Sequence, residues 1–241
     1  MRRLSFDDLS LFNAAFEIRF DDAPRIWDRS GELWNATLKE FPNLKRQHVE
    51  PNRVAYASTT KPEVELTAEL SRLGFVEHEP DRQLKQFSRG VEVFAGIAVS
   101  LLGIERYQRT GLRLMFRKDF PKAEEAADSL SSTGIQQKLS SHEKLFGISG
   151  PTIPELAFRR EDGKNGFSLR LKVETQKVEI SAVPGWSTLS LPISSTRHWV
   201  SLDVDCYIQA SVSADAIVFS EWILQTAHII RRDCDQFLNG L

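Results

Sequence analysis

Arg109, Arg113 and Arg117 are the residues whose type and spacing could do chemistry, in the segment Arg106-Tyr107-Gln108-Arg109-Thr110-Gly111-Leu112-Arg113-Leu114-Met115-Phe116-Arg117. Side chains of an extended strand alternate between its two faces, so the three arginines share one face with Gly111 while Leu112, Leu114 and Phe116 take the other. A guanidinium presents a planar fork of donors that suits phosphate or carboxylate, and Gly111 leaves room for a ligand or another backbone to come close. The row therefore has two readings. It is an anion-binding face, with Arg19, Arg170 and Lys172 nearby, or its cations pair across the sheet with carboxylates. Glu17, beside Arg19, and Asp203 with Asp205 are the acidic candidates. Both aspartates alternate with Val200, Leu202, Val204 and Cys206 and so point away from the core. Opposite-charge pairs are the ordinary decoration of a half-solvated sheet face, which makes ion pairing the expected arrangement.

Asp203 and Asp205, helped by Glu17, also suit a hard divalent cation, which prefers carboxylate oxygens. No third acidic residue or histidine beside the two aspartates completes a recognisable pattern, so no metal is expected. The five histidines show no HExxH or paired spacing, and Gly-x-Ser-x-Gly, Gly-x-Gly-x-x-Gly and a Gly-Lys-Ser/Thr phosphate loop are all missing. These absences disfavour ordinary nucleotide enzymes, imply no cofactor and lean against an enzyme. Trp186 stands apart in the polar loop Pro184-Gly185-Trp186-Ser187, where an exposed indole would anchor a partner or pin its own loop.

The positioning elements follow from hydrophobic period. Phe12 to Phe20 alternates as a strand, and Ile26 to Phe41 after Pro24 carries a helical stripe in which Trp27 and Trp34 fall on the apolar side. Val54 to Ser58 reads as a strand, Glu63 to Phe75 as a strand pair, Leu84 to Leu102 as strands broken at Gly90 and Gly96, and Tyr107 to Phe116 as a strand. Pro121 opens a short helix ending near Gly134. In the second half, Leu156 to Arg160, the turn Glu161-Asp162-Gly163-Lys164-Asn165-Gly166 and the alternating Phe167 to Val173 form the best hairpin signal. Val178 to Val183 continues the meander, Pro184 to Arg197 is a loop, and Trp199 to Ile208 is a strand. Ser213 and Asp215 read as the cap and acidic first turn of a long amphipathic helix containing Trp222 and His228.

The expected fold is α+β: a large antiparallel sheet, flanking helices and a long C-terminal helix, with a pseudo-duplicated strand-meander-helix unit as one arrangement. Residues 1–146 and 147–241 are the expected halves, joined around Gly147 to Pro154, although one continuous domain fits equally. Over 241 residues, 41% hydrophobic and 27% charged side chains can bury a substantial core. A formal charge of −2 provides no global field for nucleic acid. Cys206 and Cys234, lying in apolar patterns, read as buried thiols. With no apolar run of about 20 residues to span a bilayer and no signal-peptide pattern at Met1 to Asp8, the expected location is the cytoplasm.

Phe16-Glu17-Ile18-Arg19-Phe20, Arg109-Thr110-Gly111-Leu112-Arg113 and Leu202-Asp203-Val204-Asp205, followed by a long terminal helix, resemble a sporadically distributed bacterial family of about this length. Its members show FEIRF-like, R-x-GLRY-x-N and LD-x-D-like motifs. Leu114, Met115 and Phe116 depart from the family's Tyr-x-Asn segment, which puts any role of that Asn in doubt here. The family carries no established activity, and its patchy distribution resembles that of mobile or defence-associated genes. Because core and caps are well specified while no reacting group is activated, the leading expectation is a non-enzymatic binding or regulatory protein working through contacts with a protein partner. The resemblance adds an accessory or antitoxin-like role in a bacterial defence or toxin–antitoxin locus. A nucleic-acid or nucleotide binder using the arginine row is the first alternative, and a divalent-metal enzyme the second.

Overall fold

The computed structural model describes residues 4–50, 52–58, 60–131, 144–145, 148–149, 155–180 and 193–240. After a single turn at Phe6–Asp8, the elements run β1 (Ser10–Arg19), α1 (Arg25–Glu40), β2 (Leu44–Glu50), β3 (Arg53–Ser58), β4 (Glu63–Glu69), β5 (Arg72–His78) and α2 (Lys85–Leu102). They continue with β6 (Arg106–Tyr107), β7 (Arg109–Phe120), α3 (Ala123–Ser131), β8 (Lys144–Leu145), β9 (Ile148–Ser149), β10 (Glu155–Glu161), β11 (Asn165–Ile180), β12 (Ile193–Ile208), β13 (Val212–Ser213) and α4 (Phe219–Gly240). Nine strands form one antiparallel sheet in the order β10-β11-β12-β7-β1-β5-β4-β3-β2.

Alternation sorts this sheet into an apolar and a polar face. Phe16, Leu66, Phe75, Leu114 and Leu202 are all buried on the first. Helices cover it through ring contacts: Trp34 of α1 stacks on Tyr56 of β3, Phe87 of α2 meets Phe75 of β5 edge-on, and Phe219 and Trp222 of α4 pack on Phe16 of β1. Each fully buried side chain of this size contributes about 1.5–3 kcal/mol.

The topology repeats itself. β1, α1, the meander β2 to β5 and α2 form one strand-helix-meander-helix succession; β7, α3, the meander β10 to β12 and α4 form another. β1 and β7 pair antiparallel at the centre, and each meander runs outward with its last strand against its own first strand. The second succession begins after Gly103, whose left-handed φ of 69° ends α2 with its N–H on the Val99 carbonyl. Across residues 146–154, where the sequence suggests a join between halves, the sheet stays continuous because β12 pairs with β7.

Several elements differ from the sequence expectation. Leu84 to Leu102 is not a strand pair: Lys85–Leu102 is a helix burying Phe87, Val91, Phe94, Ala98 and Leu102, a helical stripe masked by two glycines that read as turn marks. Gly90 is there for packing, because a Cβ on it would stand 2.7 Å from the Phe75 ring. The last helix starts at Phe219 rather than after Ser213, and its first turn is capped from another helix, with the Ser220 N–H donating to Glu92 at 2.8 Å. Ser213 instead donates to Asp215 beside the short β13 ladder. β2 went unread, and β11 runs unbroken through Ile180 while β12 begins at Ile193, inside the expected loop. Trp27, expected in the core, is 55% exposed. No described helix is long and apolar enough to cross a membrane.

Candidate functional site

The arginine row lies on the polar face, and the structure brings it together with the three carboxylates singled out from the sequence. Pairing sets Glu17 of β1 and Tyr207 of β12 on either side of Gly111 of β7. The Arg109 side chain folds back over that glycine. Its guanidinium stacks on the Tyr207 ring at 4.7 Å and donates to Glu17 Oε1 at 3.0 Å and Asp205 Oδ2 at 2.9 Å. A Cβ at residue 111 would stand 2.8 Å from Arg109 Nη1, so the group that needs the glycine is the protein's own cation. Glu17 also accepts from Arg19 at 2.7 Å and Arg72 at 3.3 Å, and Arg72 forks onto Glu69. Arg113 grips Asp203 with two bonds of 2.8 and 2.6 Å.

Five arginines (19, 53, 72, 109 and 113) thus meet four carboxylates (Glu17, Glu69, Asp203 and Asp205), and each of these arginines has a carboxylate partner. Burial raises the Asp205 carboxyl above its ordinary range even though Arg109 and Arg113 pull it down. The hydrogen bond to Asp203 raises Arg113 further, which keeps it a cation. Outside this cluster, Arg170 pairs with Glu155 at 3.1 Å and Lys172 with Glu174 at 3.4 Å. Arg117 is the loosest member, 3.7 Å from Asp119 and stacked over Phe12 at 5.2 Å. Successive arginines, four residues apart, are separated by about 13 Å of strand, too far for two to share one phosphate. Ion pairing is therefore what the polar face displays. Trp186 lies outside the described residues.

A second surface escaped sequence reading. β10 is the last strand of the sheet, and among the described residues nothing pairs with its outer edge. It pairs with β11 residue for residue, whereas the opposite edge strand, β2, is interrupted by a bulge between Arg46 and His48. Beside β10 an apolar groove of about 460 Å³ runs between the sheet and α4, floored by Leu169 and Val204 and walled by Phe158, Ile229 and Phe237. Phe158 stands edge-on to Phe237 at 5.6 Å yet remains 45% exposed, and Ile229 is 39% exposed. Cys206 and Cys234 also line the groove, and burial pushes both thiols up to about 12, so they act as apolar lining. At the rim Arg160 has no carboxylate partner among the described residues, in contrast to Arg159, which bonds Glu161. The apolar alternation of Leu156 and Phe158 was visible in the sequence; that α4 stops short of covering it was not.

The carboxylates that suggested a metal reading are engaged by arginines, and no group of three His, Cys, Asp or Glu among the described residues is placed to hold an ion. Compared with known proteins, the chain matches no protein-family model and no curated sequence.

Proposed function

We propose that this chain is a non-enzymatic binding or regulatory protein that receives an extended segment of a protein partner along β10. The observation that carries this reading is the juxtaposition of a regular strand edge, unpaired among the described residues, with an apolar groove. An incoming strand would gain main-chain hydrogen bonds from the edge and place alternate apolar side chains against Phe158 and Ile229, while the unpaired Arg160 favours a carboxylate beside them. The family resemblance adds an accessory or antitoxin-like role in a bacterial defence or toxin–antitoxin locus. The engagement of each lattice arginine by a carboxylate weighs against the nucleic-acid alternative, because affinity for a polyanion comes from cations free to displace its counterions.

Affinity capture from host extract, with and without nuclease, tests the reading when wild type is set beside Phe158→Glu and Arg113→Ala. The expected result is a stoichiometric protein that survives nuclease, is lost with Phe158→Glu and is retained with Arg113→Ala. Nuclease-sensitive nucleic acid that disappears with Arg113→Ala, and no protein dependent on Phe158, would overturn it.

A further inference from the structure

Leu73, Phe75 and Glu77 occupy successive inward positions of β5. The first two are core residues, and the third is a carboxylic acid where the pattern calls for an apolar side chain. Glu77 stands opposite Ala14 of β1 and Val64 of β4, on the helix-covered side, and only 4% of its surface is exposed. Among the described residues it has no hydrogen-bond or ion-pair partner. A buried acid left in this state is held toward its neutral form, first by burial and then by the charge of Asp81. Structures seldom leave such a group unmatched unless something else completes it.

Glu77 lines a cleft of about 550 Å³ at the end of the sheet where β1, β5, β7 and the approach to α2 meet. Its ionisable neighbours there are Glu63, His78, Glu79 and Asp81, with Lys61 and Arg117 as cations. Lys61 is already bonded to Glu79 at 2.7 Å, and Arg117 is stacked on Phe12. The cleft nevertheless carries an acidic surplus, with Glu63, Glu77, Glu79 and Asp81 against Lys61 and Arg117. The backbone between β5 and α2 also carries two left-handed non-glycine residues, Glu79 at φ 52° and Leu84 at φ 55°.

We infer that this cleft binds an organic cation, a primary ammonium or guanidinium group whose N–H donors satisfy Glu77. A bare divalent ion does not fit the same place, since no three potential ligands converge among the described residues. A donor fork matches a carboxylate in two bonds, and bringing a cation beside it favours the ionised acid, so binding releases a proton wherever Glu77 was neutral. The inference is independent of the β10 groove, which shares no lining residue with this cleft.

The test is calorimetric titration of the folded protein with agmatine, n-butylamine and 1-pentanol, repeated with Glu77→Gln and Asp81→Asn. Saturable binding of the two cations, none of the alcohol, and at least a tenfold loss of affinity in Glu77→Gln is the expected result. Asp81→Asn should weaken binding less, because Asp81 contributes charge without direct contact. Absence of amine binding by wild type, or equal affinity in wild type and Glu77→Gln, overturns the inference. Glu77→Gln is isosteric, and its thermal unfolding, recorded alongside, identifies any variant that fails to bind because it fails to fold.

Discussion

Two carboxylates on neighbouring strands meet opposite fates. Glu17 of β1 takes three arginines within 3.3 Å, while Glu77 of β5, on the other face, takes none among the described residues. Glu17 is still partly in water, at 24% side-chain exposure, and is the better matched of the two; Glu77 is nearly dry and unmatched. Desolvation penalises the dry group far more, so matching does not follow need in the protein alone. The lattice around Glu17 reads as a structural seam joining β1, β7 and β12, whereas Glu77 faces the cleft proposed to take an organic cation.

The sharpest way to break this contrast is Arg109→Ala, which leaves Glu17 and Asp205 facing one another without their shared cation. Chemical denaturation should show a loss on the order of 3 kcal/mol, as expected when one partner of a largely buried ion pair is removed. A loss near zero would mean that the lattice is mere decoration. Arg113→Ala should cost less, about 1 kcal/mol, because that guanidinium is 50% exposed and screened by water. Raising the salt concentration should shrink the second loss more than the first.

Glu77→Gln carries the smallest effect and the opposite sign. The acid's folded pKa is raised above its unfolded one, so the folded chain holds its proton more tightly and the wild type loses stability as pH climbs from the unfolded value through the folded one. The glutamine variant lacks this loss. Its melting temperature should therefore gain on wild type as pH climbs above the ordinary glutamate range. A gap that stays constant with pH would show that Glu77 already has a partner in solution.

Much of the sheet was legible in advance because period two is a local signal. The alternation from Ala14 to Phe20 and through β7 named the correct faces, whereas Phe12, expected on the core side, lies at a bulge beneath Arg117 and Leu11 takes the buried place. The hairpin around Asp162–Asn165 formed as its turn residues dictate, with Gly163 at φ 85° and Asn165 N–H on Asp162 Oδ1. Local signals misled where a residue served a distant neighbour. Gly90 spoke as a turn but serves Phe75, and Ser213 spoke as a cap while Glu92, 128 residues from Ser220, supplied the real one. The groove could not be read at all, since it depends on how α4 lies against β10, where Phe158 meets Phe237 yet stays half exposed.

The sequence by itself determined that Arg109, Arg113, Asp203 and Asp205 would share a sheet face and that Leu112, Leu114 and Leu202 would not, because side-chain direction in a strand is set residue by residue. Only the tertiary structure decided that Arg109 belongs to Glu17 and Asp205, residues 92 and 96 positions away, and that Glu77 would line a cleft with no partner among the described residues. Strand order and register fix such pairings, and these are properties of how the two meanders dock on β1 and β7 rather than of any one segment.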